Sequence, residues 1–126
     1  MLLAMFVAEK PKEELLRELR WFGYYIQLSE DPYHLRDLLK KGERTGLEAI
    51  VVSGDFLVKT WETDPDLLLN YRTPYSRPVL LIFHQTRENQ DTVRNRISST
   101  DVAMIYHPVS GADIHLRIRS LITYAC

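Results

Sequence analysis

The sequence predicts an α/β fold, a doubly wound sheet of five parallel strands forming one domain over residues 1–126. Three observations point there. Short apolar runs alternate with amphipathic stretches along the whole chain, the pattern of repeated strand–helix units. Runs such as Leu2 to Ala8 and Val79 to Phe83 are almost continuously apolar, as parallel strands covered by helices on both faces must be. Glycine and proline mark the boundaries, without internal repeats or low-complexity tracts. At 126 residues and 45% hydrophobic content, the chain can build one core and is too short for two ordinary domains.

Each element has its own signal. Leu2 to Ala8 reads as a buried first strand, since the run stops at Glu9-Lys10, lacks a basic leader and is far shorter than a membrane span. Pro11 suits the first turn of a helix, Glu13 and Glu14 favour the positive end of its dipole, and Gly23 stops it. Leu15, Leu16, Leu19 and Phe22 share one face of that helix. Tyr24 to Leu28 follows as the second strand, and Asp31-Pro32 opens a second helix through Tyr33, Leu35, Leu38 and Leu39, before Gly42. The third strand is Leu47 to Val52, centred on the β-favouring Ile50-Val51-Val52. Asp64-Pro65-Asp66 is expected to cap a short helix through Leu67 to Tyr71. Val79 to Phe83 is the fourth strand, Arg87 to Ser98 a polar helix and Val102 to Tyr106 the fifth strand. Ser110 caps a last helix with Ile114, Ile118, Leu121 and Ile122 on one face. Right-handed crossovers then favour the flavodoxin-like strand order 2-1-3-4-5, with any site beyond the C-terminal ends of the strands.

Charge and cysteine usage narrow the partners. Sixteen basic and seventeen acidic side chains leave a net charge of −1, so no global field draws the protein onto nucleic acid or an anionic membrane. The single cysteine, Cys126, excludes an intramolecular disulfide and a multi-cysteine metal site. A reducing cytoplasm is the expected compartment.

The landmarks around Pro78, His107 and Pro108 carry a family resemblance. An apolar strand after a proline, a polar helix and a second apolar strand ending in His107-Pro108 resemble the last third of a bacterial response-regulator receiver domain. The same register places Ser53 where a receiver carries its phosphorylated aspartate, with Asp55 two residues on. The resemblance implies a paired acid after the first strand, but this chain has Ala8-Glu9. It implies a hydroxyl residue at Phe83, an aromatic at Met104 and a lysine at His107. The positions survive while the reactive groups do not.

Aspartyl phosphorylation needs a carboxylate nucleophile, a divalent cation and a fixed positive charge opposite the phosphoryl group. A pocket of Glu9, Phe83, His84, Met104, His107 and Pro108 around Ser53 lacks that set. The chain is thus expected to be a pseudo-receiver of a bacterial signalling or transcription regulator. It would use no cofactor or metal, have no enzymatic activity and act by protein contact or dimerisation. Two alternatives remain open. Asp55 is the acceptor if Gly54 lets the strand end bulge, or Ser53, His84 and His107 serve a small enzyme or ligand-binding site. The two histidines with Glu9 also suggest a metal site or a pH-sensitive contact.

Two regions are candidate surfaces. Phe56, Leu57 and Trp61, read as a connection after the third strand, are expected to pack over the pocket, with a binding lip as the alternative. The resemblance also implies an interaction face between the fourth and fifth helices, here Arg94, Asp101, Leu116, Arg117 and Arg119, suited to a protein partner or a second copy. His34 and His115 are expected on solvated helix faces.

Overall fold

The computed structural model describes residues 1–41, 45–69, 78–97, 102–105 and 109–125. Five strands and five helices alternate among them: β1 (Leu2–Phe6), α1 (Glu13–Trp21), β2 (Tyr25–Ser29), α2 (Pro32–Lys41), β3 (Ala49–Ser53), α3 (Gly54–Trp61), β4 (Val79–Phe83), α4 (Gln90–Ile97), β5 (Ala103–Ile105) and α5 (Gly111–Ala125). The strands form one parallel sheet in the order β2-β1-β3-β4-β5, as the sequence predicts. No helix among the described residues is long and apolar enough to cross a membrane.

Strand alternation divides the core in two. Leu3, Met5 and Val7 of β1 and the segment after it point to one face, with Val51, Leu81 and Phe83, and meet Leu16 and Leu19 of α1 and Ile114 and Ile118 of α5. Ala4, Phe6, Val52 and Ile82 point to the other face and meet Leu35 of α2, Phe56, Leu57 and Trp61 of α3, and Val93 and Ile97 of α4. β1, β3 and β4 are apolar on both faces because both are covered, which explains their unbroken apolar runs. On the first face, α1 and α5 approach closely at Gly111. A Cβ there would lie 2.6 Å from Glu18 Cβ and 2.7 Å from the Leu15 carbonyl oxygen, so the residue has to be glycine for the helices to meet. The Glu18 carboxylate then accepts the Ala112 N–H at 3.1 Å, satisfying one of the orphan donors of α5.

The third helix departs from the sequence expectation. It begins at Gly54, directly after β3, rather than beyond Asp64, and residues 65–69 form turns. Phe56, Leu57, Thr60 and Trp61 are the buried face of this helix, at the i, i+1, i+4, i+5 spacing of a helical stripe. They are therefore core residues beneath the upper edge, neither a loop nor a lip. The turn that follows is locked to α3, because Trp61 Nε1 donates to the Leu67 carbonyl at 2.9 Å. Leu68 adopts a φ of 66° and remains buried. Smaller shifts occur elsewhere. β2 and β3 each end one residue later than expected, α4 starts at Gln90 after Asn89 at φ 64°, and β5 is three residues long. Tyr71, Ser98 and Tyr106 of the predicted elements lie outside the described residues.

Candidate functional site

The parallel sheet brings Ser53 and Phe83 side by side at the upper edge, since they are register partners on β3 and β4. Ser53 is the last residue of its strand and also the N-cap of α3. Its Oγ accepts the Phe56 N–H at 3.1 Å, and the side chain is only 1% exposed. The hydroxyl is thereby committed to the helix start, where an N-cap serine is favoured. No connecting loop separates strand from helix here. Phe83 is fully buried on the α1–α5 side and pairs in register with Ile105 of β5.

His84 follows Phe83 and is 2% exposed. Its ring lies against Gly54, and a Cβ on Gly54 would overlap His84 Nδ1 and stand 2.5 Å from Cε1. The close approach of this ring, and not a left-handed backbone, is what requires glycine, since the φ of Gly54 lies outside the left-handed range. The bulge at Gly54 that the Asp55 alternative requires is replaced by an uninterrupted start of α3. Imidazole thus fills the space above the end of β3.

Asp55 lies in the first turn of α3, where the helix dipole favours a carboxylate. Asn89 Nδ2 donates to its Oδ1 at 3.0 Å, tying α3 to the loop before α4. Glu9 is exposed, and what it contributes is its backbone carbonyl, which accepts from Gln85 Nε2 at 3.4 Å. Asn89 and Gln85 were not legible as site residues, because nothing in sequence spacing marks a polar loop residue as a partner of Asp55 or Glu9. Met104 is half-buried against the α2–α3–α4 core. His107 and Pro108, together with the pairing of His84 with His107, lie outside the described residues. Among the described residues, no group of three His, Cys, Asp or Glu side chains is placed to hold a metal ion.

This architecture has a counterpart among solved structures. The crystal structure of a response regulator from Thermotoga maritima is similar to it with a TM-score of 0.53, over 96% of this chain and 97% of that one, at 14% sequence identity. The chain has a receiver-like fold. No protein-family model matches the sequence, and no curated protein matches it. In this receiver-like fold the upper edge carries Ser53 as a helix cap and His84 as a plug. A groove of about 310 Å³ lies to one side, between the start of α1 and the segment leading into α5, lined by residues including Lys12, Glu14, Glu18, Gln85 and Ser110. Neither Ser53 nor His84 lines it, so this groove is separate from the enzyme or ligand-binding site suggested for Ser53, His84 and His107.

The two histidines expected in solvent are engaged. His34 stands edge-on to Phe6 with ring centroids 5.3 Å apart. His115 of α5 stacks on Phe22 at 4.1 Å, and its Nδ1 is hydrogen-bonded to the Tyr24 hydroxyl at 3.1 Å. Burial, reinforced by Arg119, lowers the His115 pKa. Burial also raises that of Tyr24, with Arg119 opposing and Glu48 adding to the rise.

The predicted interaction face is divided. Ala112, His115 and Arg119 of α5 reach Glu18, Phe22 and Glu48 respectively, so this side of α5 faces α1 and the lower end of β3. Arg119 also contacts Met1 Sδ. Leu116 lies four residues after Ala112 and three before Arg119, which puts it on the same side. Arg94 belongs to α4, which packs on the opposite face of the sheet from α5, and it approaches Asp91 at 3.9 Å. Arg117 is exposed, and Asp101 lies outside the described residues.

Proposed function

We propose that this chain is a pseudo-receiver, a non-enzymatic contact domain of a bacterial signalling or transcription regulator that works without aspartyl phosphorylation. The observation that carries this reading is the occupation of the receiver site by structural groups. Ser53 stands at the phosphoacceptor position with its hydroxyl used as the cap of α3, and His84 packs into the space above it. A serine hydroxyl is not the carboxylate that aspartyl phosphorylation requires. The half-buried Asp55 has Asn89 as its neighbour, and Asn89 adds no charge to help hold Mg²⁺, which favours carboxylate oxygens. The domain would signal by presenting a surface to a protein partner or to a second copy, in the cytoplasm, without cofactor or direct nucleic-acid contact.

The test is an amide NMR titration with Mg²⁺ and beryllofluoride, which mimics an acyl phosphate. The spectrum should remain essentially unchanged at Ser53, Gly54, Asp55 and His84. Saturable shifts centred on Asp55 would overturn the proposal and identify a working receiver with a displaced acceptor.

A further inference from the structure

The outer rim of β2 is open. In the parallel pairing with β1, Tyr25 N–H donates to the Met1 carbonyl at 2.7 Å and the Ser29 carbonyl accepts from Val7 N–H at 3.1 Å, so the backbone groups of Tyr25, Gln27 and Ser29 face β1. Alternation along the strand turns the N–H and C=O of Ile26 and Leu28 outward, where no further strand follows among the described residues. This strand lacks the devices that protect such a rim. Tyr24 to Ser29 holds no charge and no proline, its register with β1 runs without a bulge, and Tyr25 and Leu28 stand in solvent rather than under a helix or loop. Apolar exposure also gathers here. Among the described residues, Met1, Trp21, Tyr25, Leu28 and Tyr33 are exposed in β2 or next to it, and Leu116 is the one large apolar side chain exposed elsewhere.

A rim of outward N–H and C=O groups takes an extended backbone, and the order of residues along β2 fits a second copy of itself. Antiparallel pairing about a two-fold axis at Gln27 sets Ile26 of each copy opposite Leu28 of the other, each pair exchanging both of its N–H···O bonds. Both side chains lie on the α1–α5 side of the sheet, where Ile26 already packs, so apolar meets apolar. On the other side Gln27 meets its own copy, where neutral amides pair with each other and a charged residue would oppose itself. Neighbouring registers fit less well. Centring on Leu28 sets Ile26 opposite the exposed Glu30, and centring on Ile26 sets Leu28 opposite Tyr24, whose N–H is already donated to the Leu19 carbonyl at 3.2 Å. Lys10 and Glu30 flank Leu28 beyond the upper end of the strand, so an axis at the strand centre keeps each away from its own copy.

We propose that two copies of this chain associate edge to edge through β2, antiparallel about Gln27, so that their sheets join into one. The inference rests on the reading of the chain as a contact domain and names its partner and its surface. It places self-association at this edge rather than on the α4–α5 face expected from the sequence.

Sedimentation velocity over a concentration series tests it, run with and without Mg²⁺ and beryllofluoride. Gln27→Lys and Gln27→Glu should each weaken self-association roughly tenfold or more, because each sets like charges against one another across the axis. An equimolar mixture of the two variants should restore it, since lysine then meets glutamate. Leu28→Pro should also weaken it, by removing an outward N–H while leaving the bonds to β1 in place. Leu116→Glu, on α5, should leave it unchanged, and circular dichroism should show the variants folded. A Leu28→Pro chain that fails to fold leaves the decision to the Gln27 variants, whose side chain is exposed. A wild type that is monomeric throughout overturns the inference, as does a dimer that survives both Gln27 variants, is not restored by their mixture, or is lost with Leu116→Glu. Dimerisation that appears only with beryllofluoride, and is lost in Gln27→Lys, leaves this edge standing while ending the phosphorylation-independent reading.

Discussion

Gly54 and His84 form a pair in which each explains the other. The imidazole occupies space that any larger residue at position 54 would fill, and both are buried at the upper edge of the sheet. Gly54→Ala should therefore destabilise the fold through overpacking by about 1–3 kcal/mol, despite alanine's better helix propensity at a helical position. Combining it with His84→Ala should recover part of that loss, since the two sites are in contact and their effects are not additive. Urea denaturation of the single and double variants measures this. Strictly additive losses would show that the ring is not what constrains Gly54. Ser53 illustrates the same economy at one residue. Its hydroxyl, buried at the end of β3, is spent on a backbone hydrogen bond that starts α3.

Among the elements, α5 is tied to α1 and to the start of β2 by His115, which stacks on Phe22 and is hydrogen-bonded to the Tyr24 hydroxyl. Its pKa in the folded protein lies below the ordinary value of 6.5, through burial first and Arg119 second. The unfolded chain therefore takes up the proton first as pH falls, so ν for the unfolded state exceeds that of the native state. This stability contribution is full above about pH 6.5, declines as pH falls from there through the lowered value, and then levels off. Groups facing the ring are Phe22, Tyr24 and Arg119, of which Arg119 stays charged throughout and opposes protonation. Comparing the pH dependence of unfolding free energy for wild type and His115→Gln should show this extra decline only in the wild type. Parallel curves would mean that His115 does not couple pH to the docking of α5.

How far the elements were legible follows from the same physics. The strands and α1, α2, α4 and α5 announce themselves because each has one periodicity and a clear breaker at its end. α3 was missed because it starts without a loop: Ser53 serves both strand and helix, and the run Phe56-Leu57-Val58 is apolar enough to obscure the helical stripe. Asp64-Pro65-Asp66, a stronger helix-start signal on paper, opens turns instead, anchored by Trp61 and by Asp64 accepting from Arg36 at 2.9 Å. In the site, the places of Ser53 and Phe83 at the ends of neighbouring strands could be read directly from the apolar runs that precede them. What fills the space above them could not, because the contact of His84 with Gly54 joins residues far apart in sequence through strand register.

At the scale of the whole molecule, burial is graded across the sheet and so should be the stability of its parts. β3 and β4 are buried along their entire length, and β1 is buried from its second residue. β2 at one edge is mostly exposed, with Tyr25 and Leu28 in solvent, and β5 at the other edge is short and only half-buried. An edge strand loses one ladder of hydrogen bonds and, here, much of its apolar cover as well, so it can open without dismantling the core. α2 should follow β2 on one side, since only its Leu35 and Leu38 are buried while Tyr33 stands in solvent. Native-state hydrogen exchange should then rank the amides of β1, β3 and β4 slowest, opening only with global unfolding, while those of β2 and β5 exchange through smaller fluctuations of lower free energy. β2 amides as slow as those of β3 would show that the edge is held by more than the contacts described.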